Sequence, residues 1–186
     1  MKEFPFPDRM NAKDELVRDV LYGKISQQDR ERICDNAWNV GVVTARRLLA
    51  EYPGCSICEI AEKTGLKIVR IETDKVSAGM RFFSEYYPKK NDIYVYLLSI
   101  RLFAKENRLT DEEAEELVLA HEYFHFLEEK RIGAVSTHYT IPRLSVGLFQ
   151  FGKTGVAALS EIGAHGFART YWDVRYGGQS AIYGKL

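Results

Sequence analysis

Small and apolar residues recur at helical spacing between Asp29 and Tyr52, with Ile33, Ala37, Val40, Thr44 and Leu48 on one face. This pattern predicts a helix, which Pro53-Gly54 ends. Ser56-Ile57-Cys58-Glu59 has capping-box spacing, so a short helix starts there and stops at Gly65. Leu66 to Ile71 partly alternates between apolar and polar residues and reads as a strand. Arg81 to Tyr87 and Ile93 to Leu97 are rich in aromatic and β-branched residues. Pro88-Lys89-Lys90-Asn91-Asp92 between them predicts a hairpin with a five-residue connection. A helix follows from about Ser99 to Asn107. Thr110-Asp111-Glu112-Glu113 is a second capping box, with acids at the positive end of a helix that runs to about Lys130. Gly133 to Thr154 reads as a long irregular loop, and a last helix covers about Gly155 to Asp173.

Helices, a small meandering sheet, then helices again make an α+β protein. The expected organisation is an N-terminal arm over residues 1–28, one domain over 29–176 and a flexible tail over 177–186, where Gly177-Gly178 favours fraying. A chain of 186 residues, 46% hydrophobic, can bury a real core and is not a disordered composition. Lys plus Arg and Asp plus Glu both number 26, so no net charge points to direct contact with nucleic acid or an acidic membrane. Met1 to Met10 lacks the apolar core of a signal peptide, and no apolar run approaches the roughly 18 residues needed to span a bilayer. Three cysteines do not make a disulfide framework, so a reducing cytoplasm is the expected location.

His121-Glu122-Tyr123-Phe124-His125 falls inside the second capped helix. Positions four apart share a helix face, about 6 Å apart along the axis, so both imidazoles can reach one metal ion. Glu122 stands beside the first imidazole, where its carboxylate can approach water at the metal. Two histidine ligands and one general base form the zinc hydrolase pattern, so Zn2+ is the expected cofactor. A catalytic zinc site needs a third protein ligand, and Glu161, His165 and His138 are the downstream candidates. Gly163, Ala164, Gly166 and Ala168 are small, which suits close packing of the last helix on the motif helix. Glu161 and His165 lie one turn apart on the same face.

The pair His121-Glu-x-x-His125 and Glu161-x-x-Ala164-x-x-Phe167-Ala168 resembles the ImmA/IrrE family of gluzincin metallopeptidases. Ile60 to Val69 is similar to that family's entry from helix to strand, and the likeness covers about residues 35 to 175. The resemblance implies a zincin-like fold, with a small, mostly antiparallel sheet packed against helices and with helices N-terminal to it. It implies that Glu161 is the third zinc ligand. It also implies cytoplasmic proteolysis of a regulatory protein, often a DNA-binding repressor. Two positions depart from the family pattern. His165 stands where Asp or Asn is usual four residues after the glutamate ligand, either holding a ligand through a hydrogen bond or replacing Glu161 on the metal. Arg169-Thr170-Tyr171-Trp172-Asp173 replaces an apolar run ending in proline.

Cys55 and Cys58 form a lone Cys-x-x-Cys without the second pair that a zinc knuckle needs. His138, Tyr139 and Arg143 lie in the expected loop, either as proton donors over a metal or as ordinary surface residues. The aromatic strands offer a sheet edge that an extended peptide could join. The expected function is a zinc metallopeptidase with a protein or peptide substrate, in which Glu122 is the base and His121, His125 and Glu161 are the ligands. The alternatives are a catalytically silent zinc-binding regulatory module, or a helical interaction protein in which the motif is fortuitous. Neither substrate nor oligomeric state follows from the sequence.

Overall fold

The computed structural model describes residues 4–146 and 149–177, apart from the side chains of 143–151. The expected tail lies outside these residues from 178 onward. Helices α1 (Lys13–Arg18), α2 (Gln27–Glu51) and α3 (Ile57–Lys63) precede strands β1 (Lys67–Ile71), β2 (Lys75–Ser77), β3 (Met80–Phe82), β4 (Ser84–Tyr87) and β5 (Asp92–Tyr96). Helices α4 (Leu97–Asn107) and α5 (Asp111–Leu127), strands β6 (Thr140–Val146) and β7 (Phe149–Gly155), and helix α6 (Ala158–Tyr176) complete the chain. The class is α+β, as the element order predicts. No helix among the described residues is long and apolar enough to cross a membrane.

Local chemistry sets the helix starts. Ser56 Oγ accepts the Glu59 N–H at 3.3 Å, and Glu59 Oε2 accepts the Ser56 N–H at 2.7 Å. Thr110 and Glu113 repeat this at α5, with distances of 3.2 and 2.8 Å. A cap of this kind stabilises a helix by about 1 kcal/mol. A third cap, Ser26, accepts from the Asp29 N–H and starts α2 at Gln27, slightly earlier than the apolar periodicity suggests. Gly65, at φ +77°, turns the chain from α3 into β1.

Strands β1, β5 and β4 form one sheet in that order, with β1 parallel and β4 antiparallel to β5. Strand β4 is therefore an edge. The expected hairpin is β4–β5, but Asp92 already pairs with Tyr87, so the connection is Pro88 to Asn91. The single strand expected over Arg81 to Tyr87 is broken at Phe83. Residues 80–82 pair back with β2 instead, through a turn in which Ala78 and Gly79 both have positive φ. This change of partner puts Arg81 to Ser84 at the junction of two sheets.

Where an irregular loop is expected over Gly133 to Thr154, the described residues form regular elements. A 3-10 turn spans Val135–His138, and β6 pairs with β7 from Thr140↔Gly155 to Val146↔Phe149. Pro142 and several glycines read as loop punctuation in the sequence. In a two-stranded ribbon both strands are edges, where proline is tolerated.

Helix α5 is the centre of the core, and Leu117, Tyr123 and Phe124 on it are fully buried. The Tyr123 hydroxyl donates to Thr64 Oγ1 at 3.0 Å, tying α5 to the end of α3. Ala12, Leu16 and Ile25 of the N-terminal arm join the same core. Asp19 accepts the Ala158 N–H at 2.9 Å and so satisfies an otherwise free donor at the start of α6. The small residues of α6 serve α2 more than the motif helix. A Cβ on Gly41 of α2 would lie 1.9 Å from the Gly163 carbonyl oxygen, and one on Gly166 would lie 2.5 Å from that of Trp38. Gly163 also faces α5, at the Phe124 ring.

Gly41→Ala forces two backbones apart. The expected loss is about 3 kcal/mol, the upper part of the overpacking range. Urea unfolding checks this against Gly23→Ala, whose Cβ has no neighbour within 4 Å; equal stability of the two variants would contradict the close approach.

Candidate metal centre

Helix α5 presents His121 and His125 to α6, which presents Glu161 back to them. The two Nε2 atoms lie 3.3 Å apart. His121 Nε2 is 3.2 Å from Glu161 Oε2, and His125 Nε2 is 3.5 Å from Glu161 Oε1. Among the described residues, these three are the group able to hold a metal ion. Tetrahedral zinc with bonds of about 2.0–2.2 Å places its ligand atoms about 3.3–3.6 Å apart. The spacing of the two Nε2 atoms matches that edge length, and Glu161 brings a different oxygen to that distance from each of them, so the residues fit a zinc ion.

The ionisable groups of this cluster act strongly on one another. Burial works against charge on Glu161, yet the hydrogen bond from His121 and the positive fields of His121 and His125 hold its carboxyl at about 2. Burial also opposes charge on His125. The hydrogen bond to Glu128 and the nearby carboxylates of Glu161 and Glu122 override it and raise the imidazole above its ordinary value.

Glu128 was not among the sequence candidates. It is buried just past the end of α5, in a π-turn over Glu128–Ile132. Its Oε2 bonds His125 Nδ1 at 2.9 Å. Its Oε1 accepts from the Val135 N–H and from Ser160 Oγ, both at 2.7 Å. Ser160 precedes Glu161, so one carboxylate braces a histidine on α5 and the neighbour of the glutamate on α6. The only sequence signal was an acid three residues after His125. Ser84 was also missed: its hydroxyl donates to Glu122 Oε1 at 2.8 Å, from β4. That contact spans 38 positions, and nothing local announces it.

His165 stands beside the three converging residues rather than among them. Its ring centre is 5.0 Å from that of His121, and its Nε2 faces Glu15 at 4.0 Å. Burial first, and then the charge of His121, push its imidazole down to about 3, so it is neutral. Its Nδ1 and that of His121 are both buried and have no hydrogen-bond partner among the described residues. His138 is exposed on the 3-10 turn and lines a groove with Asn36, Asn39 and Arg131, apart from the converging histidines. The Tyr139 hydroxyl donates to Asp29 at 3.1 Å. The Arg143 side chain lies outside the described residues. Cys55 and Cys58 are unbonded thiols whose sulfurs accept from Lys63 and Arg70. Burial pushes the Cys58 thiol up.

Compared with models of known protein families, with curated proteins and with solved structures, the chain matches none of them.

The geometry ranks the side chains by their effect on metal affinity. Glu161→Ala removes a converging oxygen and should weaken zinc binding most. Glu128→Ala should cost about 10–100-fold, the usual loss for a group that orients a ligand, with Glu128→Gln losing less. His165→Ala should still bind zinc. Competitive chelator titration gives the order, and a His165→Ala protein that loses zinc while Glu161→Ala keeps it would mean a three-histidine site.

Proposed function

We propose that this chain is a zinc-dependent peptidase of the gluzincin type, acting in the cytoplasm on a protein partner. The observation that carries this reading is the convergence of His121, His125 and Glu161 at zinc spacing, with Glu122 next to them on the same helix. The resemblance to the ImmA/IrrE family supports a regulatory protein, such as a DNA-binding repressor, as the partner.

In this reading His121, His125 and Glu161 hold the ion. Zinc, when bound, supplies Lewis-acid activation of a water molecule and of the scissile carbonyl. Glu122 takes the proton from the attacking water and later delivers it to the leaving amine. The Ser84 hydroxyl occupies Oε1 of Glu122 and fixes the carboxylate plane, which leaves Oε2 for the proton. Glu128 keeps the His125 ring from rotating. Strand β4, with one side unpaired in its sheet, lies beside Glu122 and can align an extended peptide by main-chain hydrogen bonds.

Protein purified without added metal should carry about one zinc per chain by elemental analysis, as one catalytic-type site requires. Less than about a tenth of that, with no uptake on addition, would remove the basis for the reading. Glu122→Gln should keep the zinc while peptide hydrolysis falls at least about a hundredfold, the low end for loss of a general base. Zinc retention with no cleavage of any peptide by the unaltered protein would leave a binding module rather than an enzyme.

A further inference from the structure

The start of the N-terminal arm lies against the candidate metal centre. The Phe6 ring centre is 5.8 Å from that of His121, 5.6 Å from His165 and 5.6 Å from Phe103. Phe4 packs at a separate point on α6. Its ring centre is 6.3 Å from that of Trp172, and the Arg169 guanidinium carbon stands 5.0 Å from it. Packing of these two rings is what holds the segment. Among the described residues, no hydrogen bond reaches residues 4–7, and Pro5 and Pro7 have no N–H to offer. The hydrogen-bonded part of the arm begins at Asp8. Its side chain accepts the Met10 and Asn11 N–H groups at 2.9 and 3.0 Å, and its carbonyl accepts that of Ala12 at 2.9 Å. The fully buried part begins at Ala12 and Leu16. Residues 4–7 can therefore detach while α1 stays in place, because segments with few buried contacts and no hydrogen bonds open first.

With the arm in place, the cavity beside Glu122 measures about 230 Å³, and Phe6 bounds it together with Ser84, His121 and His165. Sites that enclose a drug-sized ligand run to about 300–1,000 Å³, and a polypeptide crossing the centre needs more. We propose that residues 4–7 are an autoinhibitory strap. Phe6 occupies ground beside His121 and Glu122 that a protein substrate must cross, and the strap swings away before Asp8 to admit it. What the strap excludes rests on the peptidase reading; its seat on His121, His165 and Trp172 does not. A minor open state is typically populated at about 0.1–10%, and apparent affinity scales with the competent fraction, so permanent release should raise kcat/KM at least about tenfold.

The test uses the chain shortened to begin at Asp8, together with a free peptide of residues 1–8, Met-Lys-Glu-Phe-Pro-Phe-Pro-Asp. Calorimetry with zinc-loaded protein needs no catalysis. The peptide should bind the shortened chain saturably, and the full chain, whose seat is filled, should not bind it. The Phe6→Ala peptide should bind at least about tenfold more weakly, as loss of a large apolar contact requires. Cleavage of casein should be at least about tenfold faster with the shortened chain and should slow again when the peptide is added. Phe4→Ser in the full chain frees the strap from Trp172 without touching His121, and serves if the shortened chain does not fold: it too should bind the peptide and cleave casein faster than the unaltered chain. Peptide binding confined to the shortened chain, with no cleavage by either form, would uphold the strap as a cover of the metal centre and defeat the peptidase reading. Equal peptide binding by both chains, or cleavage that shortening leaves unchanged or slows, would overturn the strap.

Discussion

Two helix backbones, those of α2 and α6, approach so closely that one methyl group on Gly41 would overlap the Gly163 carbonyl. This contact, with Gly166 against Trp38, fixes where α6 lies. Glu161 is half a turn before Gly163 on that helix, so its distance to the two histidines follows from the glycine contact. Metal ligation tolerates errors of only about 0.2 Å in ligand distance. A site assembled across two helices therefore needs a rigid clamp, and a backbone-to-backbone contact has no rotamers to absorb a shift. The centre depends on α2, which contributes no residue to it.

A second layer of polar contacts refines what packing sets roughly. Glu128 satisfies a histidine, a backbone N–H and a serine at once, while sitting almost out of contact with water. A buried carboxylate is tolerated only when its oxygens are used in this way. The π-turn at its position ties the end of the motif helix to the 3-10 turn, and Val156 N–H donates to Ser136 O at 2.9 Å on the way into α6. Glu128 and the 3-10 turn thus brace α5 against α6, the two helices that carry His121, His125 and Glu161. The opposite side of the site depends on Ser84 and on the chain's change of sheet at Phe83, which bring an edge strand beside Glu122.

Much of the architecture was written in local signals. Capping boxes at Ser56 and Thr110 marked two helix starts, because the residues that satisfy the first free N–H groups are adjacent in sequence. His121, Glu122 and His125 were legible for the same reason: helical geometry converts a spacing of four into a shared face. The β6–β7 ribbon was not legible. Its strands include Pro142, Gly152 and Gly155, and only their mutual pairing makes them strands. The break at Phe83 was equally hidden, since β-propensity cannot tell which neighbour a strand will join.

The sequence by itself determined the helix that carries the two histidines, the adjacent carboxylate and the α+β class, all of which rest on contacts within about one helical turn or on element order. Tertiary structure alone showed which of Glu161, His165 and His138 lies against both His121 and His125, because that is a distance between elements far apart in sequence. It also decided the roles of Glu128 and Ser84 and the placement of Phe6 against His121. Each of these is a contact whose geometry is set by how α2, α5, α6 and the sheet pack, and packing depends on the summed fit of many side chains rather than on any local pattern.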